Sequence, residues 1–152
     1  MNIIKLSLHP ELFAKAAEFF HNKWQVPKDA YLASMKESLT AKGGVPEWYV
    51  VKQNNEIIAG LGVIENDFHK RPDLRPNLCA VYVKEPYRHQ GIARGLMDAA
   101  CKDLYSHGVT DVYLITDHTE FYEHCGWDFY GEIEENSGNV ARCYHRKTKG
   151  QD

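Results

Sequence analysis

Residues 78–115 constrain the fold more than any other stretch of this chain. Leu78-Cys79-Ala80-Val81-Tyr82-Val83 is a short, mostly apolar run of strand type. After Gly91, the residues Ile92, Leu96, Ala99, Ala100 and Leu104 form one apolar stripe at helical spacing, and Gly108 supplies a stop. Residues 112–115 are again short and apolar. A strand, a long helix and a second strand in immediate succession make a crossover unit, and only a crossover of this length can join two parallel strands.

The flanking segments have a different rhythm. Ile4, Leu6 and Leu8 alternate with Lys5 and Ser7, so 3–8 reads as a strand. Phe13, Ala16, Ala17, Phe20 and Trp24 predict an amphipathic helix over roughly 10–22, with Pro10 in its first turn. After Pro27 a second helix is expected over 28–42, with Tyr31, Met35 and Leu39 on one face and Gly43-Gly44 at its end. Residues 48–51 and 57–64 are β-rich runs around the turn Gln53-Asn54-Asn55-Glu56. Residues 66–77, with Pro72 and Pro76, read as an exposed loop. A short helix over 119–125, ended by Gly126, precedes strands at 127–133 and 140–145 around a hairpin at 134–138. The order β α α β β β α β α β β is that of an α/β fold: one mixed, mostly antiparallel central sheet flanked by helices on both faces.

The chain has 152 residues, a length that favours one domain over 1–152 and buries roughly 68–70% of the unfolded surface. Hydrophobic residues make up 43% and charged residues 26%, which argues against disorder and coiled coil. The formal net charge is -3, so bulk charge gives no support for a nucleic-acid partner. No apolar run approaches the roughly 20 residues of a membrane helix, and no signal peptide is visible, so a cytoplasmic location is expected. Cysteines at 79, 101, 125 and 143 lack C-x-x-C spacing, and the eight histidines form no metal-ligand cluster; no metal site is expected.

The turn between the central strand and its helix reads Tyr87-Arg88-His89-Gln90-Gly91-Ile92-Ala93-Arg94-Gly95-Leu96. A helix N-terminus directs unpaired backbone N–H groups and the positive end of its dipole at one spot, which suits a phosphate or pyrophosphate. Gly91 and Ala93 let the backbone approach the oxygens, and Arg88 and Arg94 supply charge-assisted partners nearby. The segment is neither a P-loop, which ends in Lys and Ser or Thr, nor a dinucleotide G-x-G-x-x-G.

What it resembles is Q/R-x-x-G-x-G/A, the acetyl-CoA pyrophosphate signature of the GNAT family of N-acetyltransferases. Two neighbouring segments resemble the same family in the same order. Cys79-Ala80-Val81-Tyr82-Val83, followed after a short gap by Tyr87-Arg88, resembles the family's V-x-x-x-Y-R approach to the loop, and Phe121-Tyr122-Glu123-His124-Cys125-Gly126-Trp127 is similar to F-Y-x-x-x-G-F/W. Two features depart from the pattern. Asp117-His118 stands where the family often has Asn, and Ala93 takes the second small position of the loop.

The resemblance implies an enzyme that moves an acetyl group from acetyl-CoA to a primary amine by direct attack. By resemblance, backbone groups of Val81 and Val83 hold the acetyl and pantetheine portion, and the N–H groups of His89, Gln90, Gly91, Ile92, Ala93 and Arg94 hold the pyrophosphate. Tyr122 takes the family's general-acid position, and a phenol of ordinary pKa near 10 is protonated and able to donate at neutral pH. An alkyl ammonium must lose a proton before it attacks. Glu65, Asp67, His69, Asp117 and His118 are the candidates to accept it, with Glu65 or Asp67 favoured as the contact to the substrate amine. Cys79 is expected to be a small buried apolar residue, not an acetyl carrier. The favoured acceptor is a small cationic molecule, such as a polyamine or aminoglycoside. The alternatives are acetylation of a peptide or protein amine, or a non-catalytic acyl-CoA sensor on the same fold. A homodimer is a reasonable expectation, since homo-oligomers are common.

Overall fold

The computed structural model of the chain describes residues 1–150. Among these residues seven strands form one sheet: β1 (Ile3–Lys5), β2 (Glu47–Gln53), β3 (Glu56–Ile64), β4 (Asn77–Val83), β5 (Asp111–Thr116), β6 (Asp128–Glu134) and β7 (Val140–Lys147). Their order is β1-β2-β3-β4-β5-β7-β6. Every neighbouring pair is antiparallel except β4 and β5, the two strands of the crossover unit. The helices are α1 (Phe13–Trp24), α2 (Lys28–Ser38), α3 (Ile92–Ser106) and the single turn α4 (Phe121–His124).

Strand alternation splits the core. Tyr49 and Val51 face α3, where Ile92, Leu96, Ala100 and Leu104 of the stripe read from the sequence are buried, joined by Met97 and Cys101, while Ala99 is half-buried. Trp48 and Val50 face the other way, against Phe20 of α1 and Tyr31 and Met35 of α2. Phe20, Tyr31 and Trp48 meet as an aromatic cluster with centroids 5.0–5.6 Å apart. The β2–β3 turn is a two-residue hairpin with Asn54 and Asn55 both left-handed, as the Asn-Asn pair favours.

Three segments differ from the sequence reading. The first strand stops at Lys5, and Leu6–Leu8 forms a 3-10 turn that drops Leu6 into the core, while the Ser7 N–H and O–H both donate to the buried Glu47 carboxylate. The first helix begins at Phe13, after a 3-10 turn at Pro10–Leu12. The second ends at Ser38, whose hydroxyl donates back to the Met35 carbonyl, a bond that competes with further helix.

The 66–77 segment is a loop, but it is anchored where full exposure was expected. His69, Leu74 and Asn77 are buried. Leu74 packs with Ile133 and Cys143 over the half of the sheet that α1 and α2 leave uncovered. Lys70 N–H donates to the Glu134 carbonyl at 3.0 Å, and Asn136 N–H to the Phe68 carbonyl at 2.8 Å. These two bonds stitch the β3–β4 loop to the β6–β7 hairpin.

Candidate active site

The parallel pair that organises the fold is almost unpaired. The β4–β5 register contains one partnership, Asn77 with Tyr113, and the strands diverge beyond it. On its other side β4 carries a bulge. Gly60 pairs with Tyr82 and Gly62 with Cys79, so Ala80 and Val81 together oppose Leu61. Ala80 is left-handed, with φ 54°. A bulge frees backbone groups and re-aims the strand, and this one does so at the mouth of the gap.

A cavity of about 620 Å³ occupies that gap. Leu78 to Val81 form one wall, Leu114 to His118 the opposite one, and Tyr31 and Trp48 the α1–α2 side. Val81 lines this cavity, and Val83 is not among the lining residues. The Val83 carbonyl accepts a 2.9 Å bond from the Arg88 guanidinium, which also lies 5.7 Å from the Tyr82 ring.

The loop that follows is exposed from Arg88 to Gly91. His89 and Gly91 are both left-handed, with φ 64° and 79°, and this turns the chain directly into α3. Among the described residues, nothing lies within 4 Å of the place a Gly91 side chain would take. The first backbone N–H groups of this fifteen-residue helix lack intrahelical acceptors. Arg94 sits over this helix start but donates to the His124 carbonyl at 3.1 Å, tying the loop to α4.

Helix α4 presents Tyr122 to the cavity. The ring is 8% exposed and packs edge-on against Phe121 and Trp127. The turn that carries it is held from below by Tyr144, whose hydroxyl donates to the Thr119 carbonyl at 3.0 Å. Burial, then the nearby Cys125 and Asp67, push the Tyr122 phenol well above its ordinary pKa, so it is a protonated donor at any physiological pH. Cys79 also lines the cavity, but burial and the charge of Asp67 raise its thiol far above the usual range. That is the setting of an inert thiol rather than a nucleophile.

The structure separates the candidate acidic residues. Glu65 does not reach the cavity; it forms a two-pronged pair with Arg75 on the surface, at 2.5 and 3.0 Å. His69 is buried in the loop with both ring nitrogens engaged, Nδ1 by the Arg71 N–H and Nε2 by Asn77. Asp67, Asp117 and His118 do line the cavity. The sequence reading did not single out Glu135 or Ser137, which the stitched hairpin brings to the same wall from nearly seventy residues away. Asp67 is the perturbed member. Burial, then the charge of Glu135, raises its carboxyl from 3.8 to about 6. No Lys or Arg is among the described residues that line the space.

The Acetyltransferase (GNAT) family model matches residues 10–127. No curated protein matches the sequence. Among solved structures, an aminoglycoside 6'-acetyltransferase type Ii superposes with a TM-score of 0.74 at 18% identity, covering 100% of both chains. An aminoglycoside 6'-N-acetyltransferase complexed with coenzyme A has a TM-score of 0.74 at 15% identity, covering 100% of this chain and 99% of its own. The PaiA N-acetyltransferase from Thermoplasma acidophilum, in complex with coenzyme A, has a TM-score of 0.67 at 14% identity, with 97% and 99% covered. A sheet split at its one parallel pair, a glycine-led helix start beside the split and a family match spanning both lead to one conclusion: the chain belongs to the GNAT family of acetyltransferases.

Proposed function

We propose that the protein transfers an acetyl group from acetyl-CoA to a primary amine of a small cationic molecule. The carrying observation is the acidic cavity at the strand gap. Asp67, Glu135 and Asp117 face it, no Lys or Arg stands among the described lining residues, and Asp67 is already strained toward protonation by burial and by Glu135. A ligand ammonium seated there relieves both penalties at once. Tyr31, Trp48 and Tyr122 add aromatic faces to which a cation is attracted.

The residues present fit acetyl-CoA as co-substrate. The open N–H groups at Gly91, Ile92, Ala93 and Arg94 suit a pyrophosphate, with His89 and Gln90 in the preceding turn and Arg88 beside it. The bulged edge at Ala80 and Val81 offers backbone groups to the thioester arm. Acetyl-CoA supplies the activated acetyl group as a thioester.

In the transfer, the amine nitrogen bonds to the carbonyl carbon and the carbon–sulfur bond breaks. Asp67, directly or through water, takes the proton that the ammonium must shed. Tyr122 offers its hydroxyl proton to the departing sulfur, and the second proton that the nitrogen sheds as the amide forms returns to the phenolate, directly or through water. Because the charge of Asp67 helps hold the phenol up, an ammonium paired with Asp67 also makes Tyr122 a better donor.

The test is acetyl-CoA-dependent thiol release with polyamines, aminoglycosides, monoamines and short peptides, beside a no-amine control. Turnover with polyammonium acceptors, and little with neutral or acidic peptides, is expected. Tight acetyl-CoA binding with no release across the panel would favour a sensor instead. The structural neighbours named for aminoglycoside acetylation support including that class.

A further inference from the structure

One fully buried side chain organises the acidic wall from outside the cavity. Asn77 is 1% exposed, stands at the single β4–β5 partnership, and does not line the cavity itself. Its amide is used at both ends. Oδ1 accepts the Asp67 backbone N–H at 2.8 Å and meets His69 Nε2 at 2.7 Å, while Nδ2 donates to the Leu74 carbonyl at 2.7 Å. The His69 tautomer follows from the neighbours. Nδ1 accepts the Arg71 N–H at 3.1 Å, so Nε2 carries the hydrogen and donates to Asn77. The far side of the loop closes the same way, with Asn66 Oδ1 accepting the His69 N–H at 3.0 Å and Asn66 Nδ2 donating to the His69 carbonyl at 3.1 Å.

This network does what packing does not. Phe68, the next residue after Asp67, is 63% exposed and left-handed, so the loop has no apolar anchor at that point. The hairpin holds the loop from one side through the Phe68 carbonyl, and the bond from the Asp67 N–H to Asn77 fixes it from the β4 side, against the start of the gap. A satisfied buried amide of this kind costs little when complete and much when one partner is removed.

We propose that Asn77 is a positioning residue that acts through Asp67, holding that carboxylate in the acceptor cavity. The inference rests on the reading of the cavity as an amine site. Glu135 from the β6–β7 hairpin, Tyr122 of α4, Tyr31 of α2 and Cys79 of β4 interact with Asp67 through charge, and Asp117 and His118 after β5 line the same cavity. The neutral amide of Asn77 leaves the charge among them unaltered, so its effect is one of placement.

The experiment is a carboxyl NMR titration of Asp67 in the wild type, Asn77→Ala and Asn77→Asp, with the resonance assigned through Asp67→Asn. Acceptor KM for spermidine and kanamycin is measured on the same proteins. In Asn77→Ala the Asp67 midpoint is expected to fall from about 6 toward the ordinary carboxyl value, as the side chain reaches solvent. Asn77→Asp keeps an accepting oxygen in place and should hold acceptor KM closer to wild type than Asn77→Ala does, and KM is its readout because a second carboxylate raises the Asp67 midpoint by charge alone; a role in packing alone would make this buried charge the worse variant. Acceptor KM should rise at least tenfold in Asn77→Ala but not rise further when Asn77→Ala is added to Asp67→Asn. An unchanged midpoint in a folded Asn77→Ala would overturn the proposal. Should that variant not fold, hydrogen exchange on the wild type decides the matter: the Asp67 N–H must be protected, and loop-like exchange refutes the clasp. The amine-site reading fails separately, if Asp67→Asn leaves acceptor binding unchanged while the Asn77 effect on the titration stands.

Discussion

Replacing Asp67 with asparagine should make the protein more stable and a poorer enzyme, and the first effect should depend on pH in a calculable way. The folded carboxyl titrates at about 6, against 3.8 when unperturbed. Because the folded value is the higher one, the native state binds a proton more readily than the unfolded chain between those two values. Stability therefore falls as pH rises through that window, and the full penalty is present above about pH 6. At 1.36 kcal/mol per pH unit, a displacement of roughly two units is worth at most about 3 kcal/mol. The amide in the Asp67→Asn variant carries no charge and escapes the penalty, while its own packing changes are the same at every pH. Equilibrium urea unfolding of both proteins at pH 8 and pH 4 isolates the charge contribution as the difference between two differences. We expect Asp67→Asn to be favoured by about 1–3 kcal/mol more at pH 8 than at pH 4, equivalent to a relative Tm gain of about 2–10 °C. An advantage equal at the two pH values, or larger at pH 4, would refute the claim that Asp67 is a buried charge awaiting a cation. In turnover the same carboxylate must be ionised, so wild-type kcat/KM for a polyammonium acceptor should decline below about pH 6, and this limb should vanish in the variant.

Three further outcomes follow from the geometry. Tyr122→Phe should lower kcat at least tenfold while leaving acetyl-CoA affinity near wild type, read from steady-state kinetics and calorimetry; a rate within twofold would make the ring structural. Gly91→Glu places a bulky anion at a left-handed helix start that opens onto free space, and should weaken acetyl-CoA binding at least tenfold with the fold retained by circular dichroism; unchanged affinity would remove the loop from the site. Gln25 ends α1 in a left-handed conformation at φ 61°, so Gln25→Gly should raise unfolding free energy by about 0.5–1 kcal/mol in urea titration without altering turnover.

The parts of the molecule that were legible in the sequence are those encoded locally. The α3 stripe repeats at its own period, and the glycine-led loop needs only adjacent residues to define a helix start. Tyr122 lies in a contiguous segment whose aromatic neighbours pack on it in space. What escaped depends on distant contacts or on backbone geometry that side chains do not announce. Nothing in Cys79-Ala80-Val81 betrays that Ala80 is left-handed, because the bulge is set by the register against β3. Glu135 looks like a hairpin residue until two backbone bonds bring its turn to Phe68 and Lys70. Glu65 and Asp67 are two residues apart at the end of a strand and read alike, yet one meets Arg75 at the surface and the other turns inward. Asn77, ten residues further on, accepts the Asp67 backbone N–H, while Arg75 holds the Glu65 carboxylate, and neither partner is adjacent in sequence.

The single partnership between β4 and β5 also bears on how the molecule hangs together. Four strands lie on one side of that point and three on the other, each set joined by its own antiparallel ladders. The two sets share α3 as a common spine, but across the sheet they meet as leaves of a hinged diptych, with Asn77 and Tyr113 at the pin. A ligand threaded between the leaves supplies the cross-links that hydrogen bonding left out. A ligand that fills the gap and binds only the folded chain stabilises the fold, by an amount that grows with the logarithm of its concentration over its Kd.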